Sequence, residues 1–268
     1  MEKSKEYILR YQRQIILNGF GIVAQEKLAN AKILVIGAGG LGCPVLQYLA
    51  AVGVGEIGIV DNDQVALSNL NRQILFDQED IGKDKAIIAA EKLAKQNNLV
   101  KIIAFQQNCN QHFALEQFPY YDIIIDATDN FATRYLINDA CVLLKKPLVF
   151  GAISQFEGQV AVFNVLKDGV SLNYRDLFPV PPKGDEVLSC ADGGVLGVLP
   201  GMIGLMQAME AIKIITGIGK VLANELLTYN PLTYENYSIK MVKHPESEKH
   251  LPSTLEAFTN LNYQWLCS

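Results

Sequence analysis

The stretch Ile33-Leu34-Val35-Ile36 runs straight into Gly37-Ala38-Gly39-Gly40-Leu41-Gly42, and a helical pattern follows at once from Val45 to Ala51. A buried strand, a tight glycine turn and a helix are the only simple reading of that order. Gly37, Gly39 and Gly42 have the G-x-G-x-x-G spacing of a nucleotide-binding turn. Gly37 allows the sharp turn, Gly39 lets backbone approach a phosphate, and Gly42 lets the helix lie close on its strand. The helix then aims unpaired N–H groups and its positive dipole end at an anion. The next apolar run, Ile57-Gly58-Ile59-Val60, ends in Asp61, whose carboxylate can accept from ribose hydroxyls. These features imply a nucleotide without specifying a reaction.

The remaining pattern extends this start into an α/β protein. Strands are expected at 32–36, 56–60, 101–106, 121–125, 147–151 and 158–164, and two antiparallel ones at 225–229 and 235–241. Helices are expected at 6–18, 23–30, 42–53, 84–97, 111–117, 131–144 and 194–216. The fold class is therefore a Rossmann-like, doubly wound, mostly parallel sheet with an antiparallel C-terminal extension. Residues 1–166 would form the nucleotide-binding part. Residues 167–268 would add a crossover loop, an apolar helix, the antiparallel strands and a tail, integrated into one domain. The proline-rich run 178–186 can continue neither helix nor central strand, so an exposed segment ending near Asp192 is expected.

Composition narrows the classes. A net charge of −5 argues against a general nucleic-acid binder, so any anion must be met by individually placed cations. The five cysteines include no C-x-x-C pair, and the charged N-terminus has no apolar leader, which together read as a reduced, cytoplasmic protein. Residues 193–209 are apolar enough to raise a membrane span. Pro200 and Gln207 interrupt them, however, glycines at 194, 197, 201 and 204 suggest close helix approach, and Glu210 and Lys213 continue the helix, favouring a core or dimer-interface helix.

Polar residues at the carboxyl ends of parallel strands face the ligand crevice. Asp61 to Gln73 is such a stretch, and so is Asp126-Ala127-Thr128-Asp129-Asn130. Lys83 and Lys85 stand at a helix start, where the dipole disfavours cations, which suggests that one of them serves a ligand. A nicotinamide enzyme needs little beyond the turn and a ribose acid. Arg72 and Lys85, with Arg13 a possible third cation, and the additional acids Asp63, Asp126 and Asp129 better suit attack of a carboxylate on the α-phosphorus of ATP. There, cations and a metal must offset the repulsion between two anions.

The stretches Arg10-Tyr11-Gln12-Arg13-Gln14-Ile15, Gly37–Gly42, Asp61–Asp63, Ser68-Asn69-Leu70-Asn71-Arg72-Gln73, Gly82–Lys85, Asp126–Asn130 and Gln207–Lys213 are similar, in order and spacing, to those of the ThiF/MoeB/HesA family of ubiquitin-activating-enzyme-like adenylyltransferases. The resemblance covers about Arg10 to Val242. It implies adenylation of the C-terminal Gly-Gly carboxylate of a small ubiquitin-like sulfur carrier. It also implies that Gly40, Asp61, Asn69, Arg72, Gln73, Lys85, Asp129 and Asn130 contact ATP or its Mg²⁺. Gly37, Gly39, Gly42, Asp63, Ser68, Leu70 and Asn71 complete the cradle, although Asp63 and Asp126 can equally cap or orient neighbours. By the same resemblance Asp129 is the metal acid, Arg72 and Lys85 hold phosphates, and Arg13 reaches the neighbouring subunit's site in a homodimer. Cys190 lies where family members often carry a cysteine that joins sulfur transfer; its plain alternative is a small loop residue.

One departure stands out. Many relatives carry two C-x-x-C pairs that bind a structural zinc ion, and the corresponding positions here are Asn173-Tyr174-Arg175-Asp176 and Ser247-Glu248-Lys249-His250. With no cysteine in either, no structural zinc is expected. Adenylation of another peptide or carboxylate, dehydration of a tRNA base, a dehydrogenase and an idle scaffold remain alternatives at this level.

Overall fold

The computed structural model describes residues 4–181 and 194–263. Its centre is a single eight-stranded sheet in the order β3-β2-β1-β4-β5-β6-β7-β8. The strands are β1 (Lys32–Ile36), β2 (Glu56–Val60), β3 (Lys101–Phe105), β4 (Ile123–Asp126), β5 (Leu148–Ser154), β6 (Glu157–Phe163), β7 (Glu225–Asn230) and β8 (Glu235–Lys240). β3, β2, β1, β4 and β5 pair in parallel, and β5 to β8 pair antiparallel. The sheet is thus continuous across residue 166.

The helices are α1 (Lys5–Ile15), α2 (Gly21–Asn30), α3 (Gly42–Val52), α4 (Lys85–Gln96), α5 (Gln111–Gln117), α6 (Phe131–Leu143), α7 (Tyr174–Leu177), α8 (Val198–Thr216) and α9 (Leu255–Asn260). Helices cover both faces of the parallel half, so its strands are apolar on both sides. Ile33, Val35, Ile57, Ile59, Ile123 and Ile125 point into one core with α3, α4 and α8. Leu34, Ile36, Ile124, Phe150 and Phe163 point into the other with α5 and α6. This strict alternation fixes the register, because a one-residue slip would exchange the two faces of a strand.

Several boundaries differ from expectation, α1 ending at Ile15 rather than 18 among them, and three bear on the site. α8 begins at Val198 rather than 194, which places Pro200 in the first turn, where its missing N–H removes no helical bond. β5 runs on to Ser154 because it pairs with β6 down to Ser154↔Glu157. The turn between them, Gln155-Phe156, lacks the usual Gly or Asn, although Gln155 takes φ 51°. β4 runs from Ile123 to Asp126, so Asp126 lies within the sheet, paired with Ile36 and Phe150, rather than in the crevice. α8 is long and apolar enough to cross a membrane, yet it is a core helix. Its Gln207 donates to the carbonyls of Asp126 (2.7 Å) and Val149 (3.4 Å), and Glu210 accepts from the Leu222 amide (2.9 Å).

Candidate functional site

The glycine turn joins β1 to α3 and is built by contact. Gly37 takes φ +98°, and a Cβ there would lie 2.7 Å from the Ala127 carbonyl oxygen; a Cβ on Gly42 would fall 1.9 Å from the Gly37 carbonyl oxygen. The chain must therefore be glycine at both positions for α3 to start beside β4. Asp61, at the end of β2, anchors the turn: its Oδ2 accepts from the Ala38 amide at 2.7 Å, and its Oδ1 accepts from the Asp63 amide at 2.8 Å. Burial pushes the Asp61 carboxyl up from its ordinary value, with the two amides and Lys85 pulling the other way.

The 61–73 stretch folds back against the turn. Its hydrogen bonds to 82–85, including Lys85 N to Asp63 O at 2.9 Å, deliver Lys85 to the same strand end. The Lys85 side chain is only 5% exposed and its ammonium donates to Asp63 Oδ2 at 2.9 Å. The unfavourable position of Lys85 at the start of α4 is thus offset by an acid from the neighbouring loop. Lys83 instead stands 3.8 Å from Asp80. Arg72 lies on the other side of the turn, its Cγ 3.5 Å from where a Gly40 Cβ would be. Arg72 Nη1 donates to Ser68 O (2.9 Å) and Asn71 Oδ1 (3.0 Å). Gln73, 4% exposed, turns its Nε2 toward Gly39, and its Oε1 has no hydrogen-bond partner among the described residues. Asn69 accepts from the Ala66 amide and holds the short turn that carries both residues, while Leu70 packs toward the core. The start of α8 closes this side: a Cβ on Gly197 would sit 2.1 Å from Asn71 O, and Gly40 abuts Pro200.

The end of β4 supplies the third wall. Asp126 is fully buried, accepts from Thr128 N (3.0 Å) and Oγ1 (2.6 Å), and stands 3.4 Å from Arg134 Nε. Burial pushes its carboxyl up, against Arg134. Asp126 thus orients its neighbours rather than meeting a ligand, a correction to its placement in the crevice. Asn130 is the N-cap of α6, its side chain accepting from Thr133 N at 2.8 Å. Asp129, between them, is exposed and makes no hydrogen bond or ion pair with any described residue.

The structure therefore brings Gly37, Gly39, Gly40, Gly42, Asp61, Asp63, Asn69, Arg72, Gln73 and Lys85 together around one turn, with Asp129 and Asn130 at the adjoining strand end. Arg13 is not among them. α1 rests on the C-terminal end of α3, where Gln14 Nε2 donates to Val52 O at 2.8 Å and Tyr11 packs on Gly53. That end is about 16 Å along α3 from Gly42. Cys190 lies outside the described residues. Cys43, Cys109 and Cys141 are free thiols. Burial pushes all three up, Cys43 to about 12. A cavity of about 550 Å³ opens elsewhere, between Asn108, Gln111, Thr133, Leu136 and Tyr263; no glycine of the turn lines it. The reading of the residues missed Arg134, Pro200 and Gly197 at the site. The glycine spacing in 194–204 was visible, but its contact partner was not.

Comparison with known proteins gives a consistent picture. The model of the ThiF family matches residues 11–251. The chain is 52% identical over 234 residues to the sulfur carrier protein adenylyltransferase of Thermus thermophilus, which covers 87% of this chain and 86% of that one. It is 47% identical over 247 residues to the probable adenylyltransferase/sulfurtransferase MoeZ of Mycobacterium tuberculosis, but spans only 63% of that protein's length. Among solved structures, Escherichia coli MccB with AMPCPP and MccA superposes with a TM-score of 0.75 at 25% identity, covering 90% of this chain and 75% of that one.

Proposed function

Since this chain belongs to the ThiF family, we propose that it activates the C-terminal Gly-Gly carboxylate of a ubiquitin-like sulfur carrier with ATP. A carboxylate oxygen attacks the α-phosphorus, the bond to the β-phosphate bridging oxygen breaks, and acyl adenylate and pyrophosphate result. The observation that carries this reading is the buried Lys85 ammonium, held at the strand end by Asp63 next to a glycine turn flanked by Arg72. A buried cation is costly to keep, and one beside a glycine turn at a helix start is placed to stabilise phosphate charge. The name of the Thermus relative, a sulfur carrier protein adenylyltransferase, supports the choice of acceptor.

The roles divide by chemistry. Amides of the glycine turn and the start of α3 receive phosphate oxygens. Arg72 exchanges its bonds to Ser68 and Asn71 for phosphate, and Lys85 takes charge as pyrophosphate departs. The buried Oε1 of Gln73, which has no partner among the described residues, fits a donor from the nucleotide side. Asp129 offers the single unengaged carboxylate that Mg²⁺ needs when phosphates and water supply its other ligands; bound there, the ion would offset phosphate charge. Arg13 serves the partner's site in a homodimer, and Cys190 acts after adenylation. The cytoplasm is the compartment this reading assigns.

Carrier-dependent exchange of labelled pyrophosphate into ATP tests the proposal. Exchange is expected with an intact carrier and not with one lacking its Gly-Gly end. Exchange supported equally by a free peptide would move the reading toward peptide adenylation, the alternative suggested by the MccB likeness. Absence of exchange with carrier, peptide and small carboxylates alike would refute adenylation.

Asp61 adds a pH dependence. Its carboxylate is read as the acceptor for the ribose hydroxyls and must be ionised to accept fully. Because burial raises its pKa, ATP affinity is expected to fall on acidification from a pH above the ordinary carboxylate range. Its effect on stability runs the other way. The folded state holds this proton more tightly than the unfolded chain, so stability from Asp61 is present at low pH and lost as pH rises through the raised pKa. Calorimetric titration of ATP across pH, repeated with Asp61→Asn, measures this. A variant with the same pH slope as the parent would remove Asp61 from the role.

A further inference from the structure

Family likeness implies a structural zinc ion joining the 173–176 segment to the 247–250 segment. The four positions its ligands would occupy are Asn173, Asp176, Ser247 and His250. The two segments do meet here, and the side chains of Asn173, Asp176 and Ser247 are already engaged. Asp176 Oδ2 accepts from Asn173 N and Nδ2, both at 2.9 Å, and Asp176 Oδ1 accepts from the His244 amide at 3.0 Å. Asn173 Oδ1 caps α7 by accepting from Arg175 N at 2.9 Å, and Ser247 Oγ donates to His244 O at 2.8 Å. Among the described residues, no group of three or more His, Cys, Asp or Glu is placed to hold a metal ion. The donor set does not fit zinc, which asks for four such ligands with free lone pairs.

We propose that side-chain cations do the joining instead, in a metal-independent clamp that fastens the C-terminal segment to α6. The Lys243 ammonium lies 3.5 Å from both Asp176 and Glu248, bridging the two segments as a fixed positive charge. Beneath it, Arg175 Nε and Nη2 donate in parallel to the two oxygens of Asp139, each at 2.8 Å. The Tyr263 hydroxyl donates to Asp139 Oδ2 at 2.8 Å, and the Arg175 guanidinium lies 4.7 Å over the Tyr135 ring. Asn138 accepts from the Tyr174 amide at 2.8 Å.

Arg175, Asp139, Asn138 and Tyr263 are all buried. The geometry is the paired, fully hydrogen-bonded kind in which a buried charge is tolerated, and removing one partner strands the other. The outer Lys243–Glu248 contact is exposed and contributes little; the inner fork carries the clamp. Three separate stretches of chain, α6, α7 and the tail through Tyr263, meet on Asp139. α6 also begins next to Asp129 and Asn130, so the clamp steadies the helix behind the candidate site.

Metal content and thermal unfolding test the clamp without reference to activity, so failure here and failure of the adenylation reading are separable. The full chain, purified without chelator, is expected to hold well below one zinc per chain by elemental mass spectrometry. Its Tm should not move with EDTA or 1,10-phenanthroline. Asp139→Asn is expected to lower Tm by about 10 °C, by stranding Arg175. Tyr263→Phe, which removes one hydrogen bond and no charge, should lower it by about 2–4 °C and keeps the test readable if the first variant does not fold. One zinc per chain with a Tm that falls on chelation overturns the proposal. So does an unchanged Tm in both variants.

Discussion

Lys85→Ala and Asp129→Ala are each expected to lower carrier-dependent pyrophosphate exchange by about 10²–10³-fold, while Tm stays within about 2 °C of the parent. The two halves of that expectation come from the same geometry. Lys85 is buried and its only ion-pair partner among the described residues, Asp63, has a side chain 62% exposed. Removing the lysine frees the fold from a desolvated ammonium and leaves an acid that water can solvate, so stability has little to lose. The transition state has much more to lose, because charge developing on the departing pyrophosphate then meets no cation on that side. Asp129 is exposed and engages no described residue, so the fold does not depend on it either. Stability assays run beside exchange assays decide the matter. A Tm that collapses together with activity would mark Lys85 as structural, and exchange that survives either substitution would dismiss that residue from the chemistry.

Mixing two inactive variants should restore activity. Arg13 sits on α1 at the end of α3 opposite the glycine turn, so within one chain it does not belong to the site assembled around Gly40. If it serves the partner's site, Arg13→Ala and Lys85→Ala are both inactive alone. Unfolding and refolding them together as an equal mixture makes half of the dimers mixed. Each mixed dimer then holds one site with its own Lys85 and an intact Arg13 from across the interface. Recovery of about a quarter of the parental exchange rate is expected, from the pairing statistics of a twofold assembly. No recovery, or a monomer by sedimentation at assay concentration, would contradict the shared site.

Much of this arrangement was readable from local pattern. The strand, turn and helix over 33–42 carried their own chemistry, and β1, β2 and α5 fell where periodicity placed them. What could not be read were partners distant in sequence. The clash of Lys85 with its helix dipole was visible, but not that Asp63 would answer it. Asp126 and Asp129 look alike as acids at a strand end. Only strand pairing and Arg134 show that the first is buried in the sheet, whereas the second is exposed. Asn130 reads as a ligand residue, and its side chain is engaged as the helix cap. The substitutes for the missing cysteines at 173–176 and 247–250 were beyond reach, because Asp139 and Tyr263 are 124 residues apart along the chain.

The three cysteines within the described structure have a consequence for an enzyme of mixed anhydrides. An acyl adenylate is captured by any thiolate that reaches it, and an off-pathway thioester inside the protein would end turnover. Cys43, on the very helix that follows the glycine turn, is the thiol best placed to do this damage. Burial holds it protonated up to about 12, and Cys109 and Cys141 are muted in the same way. The hydrophobic packing that builds the two cores thus also protects the product from its own catalyst, leaving the energised acyl group for a sulfur nucleophile that arrives from outside these cores.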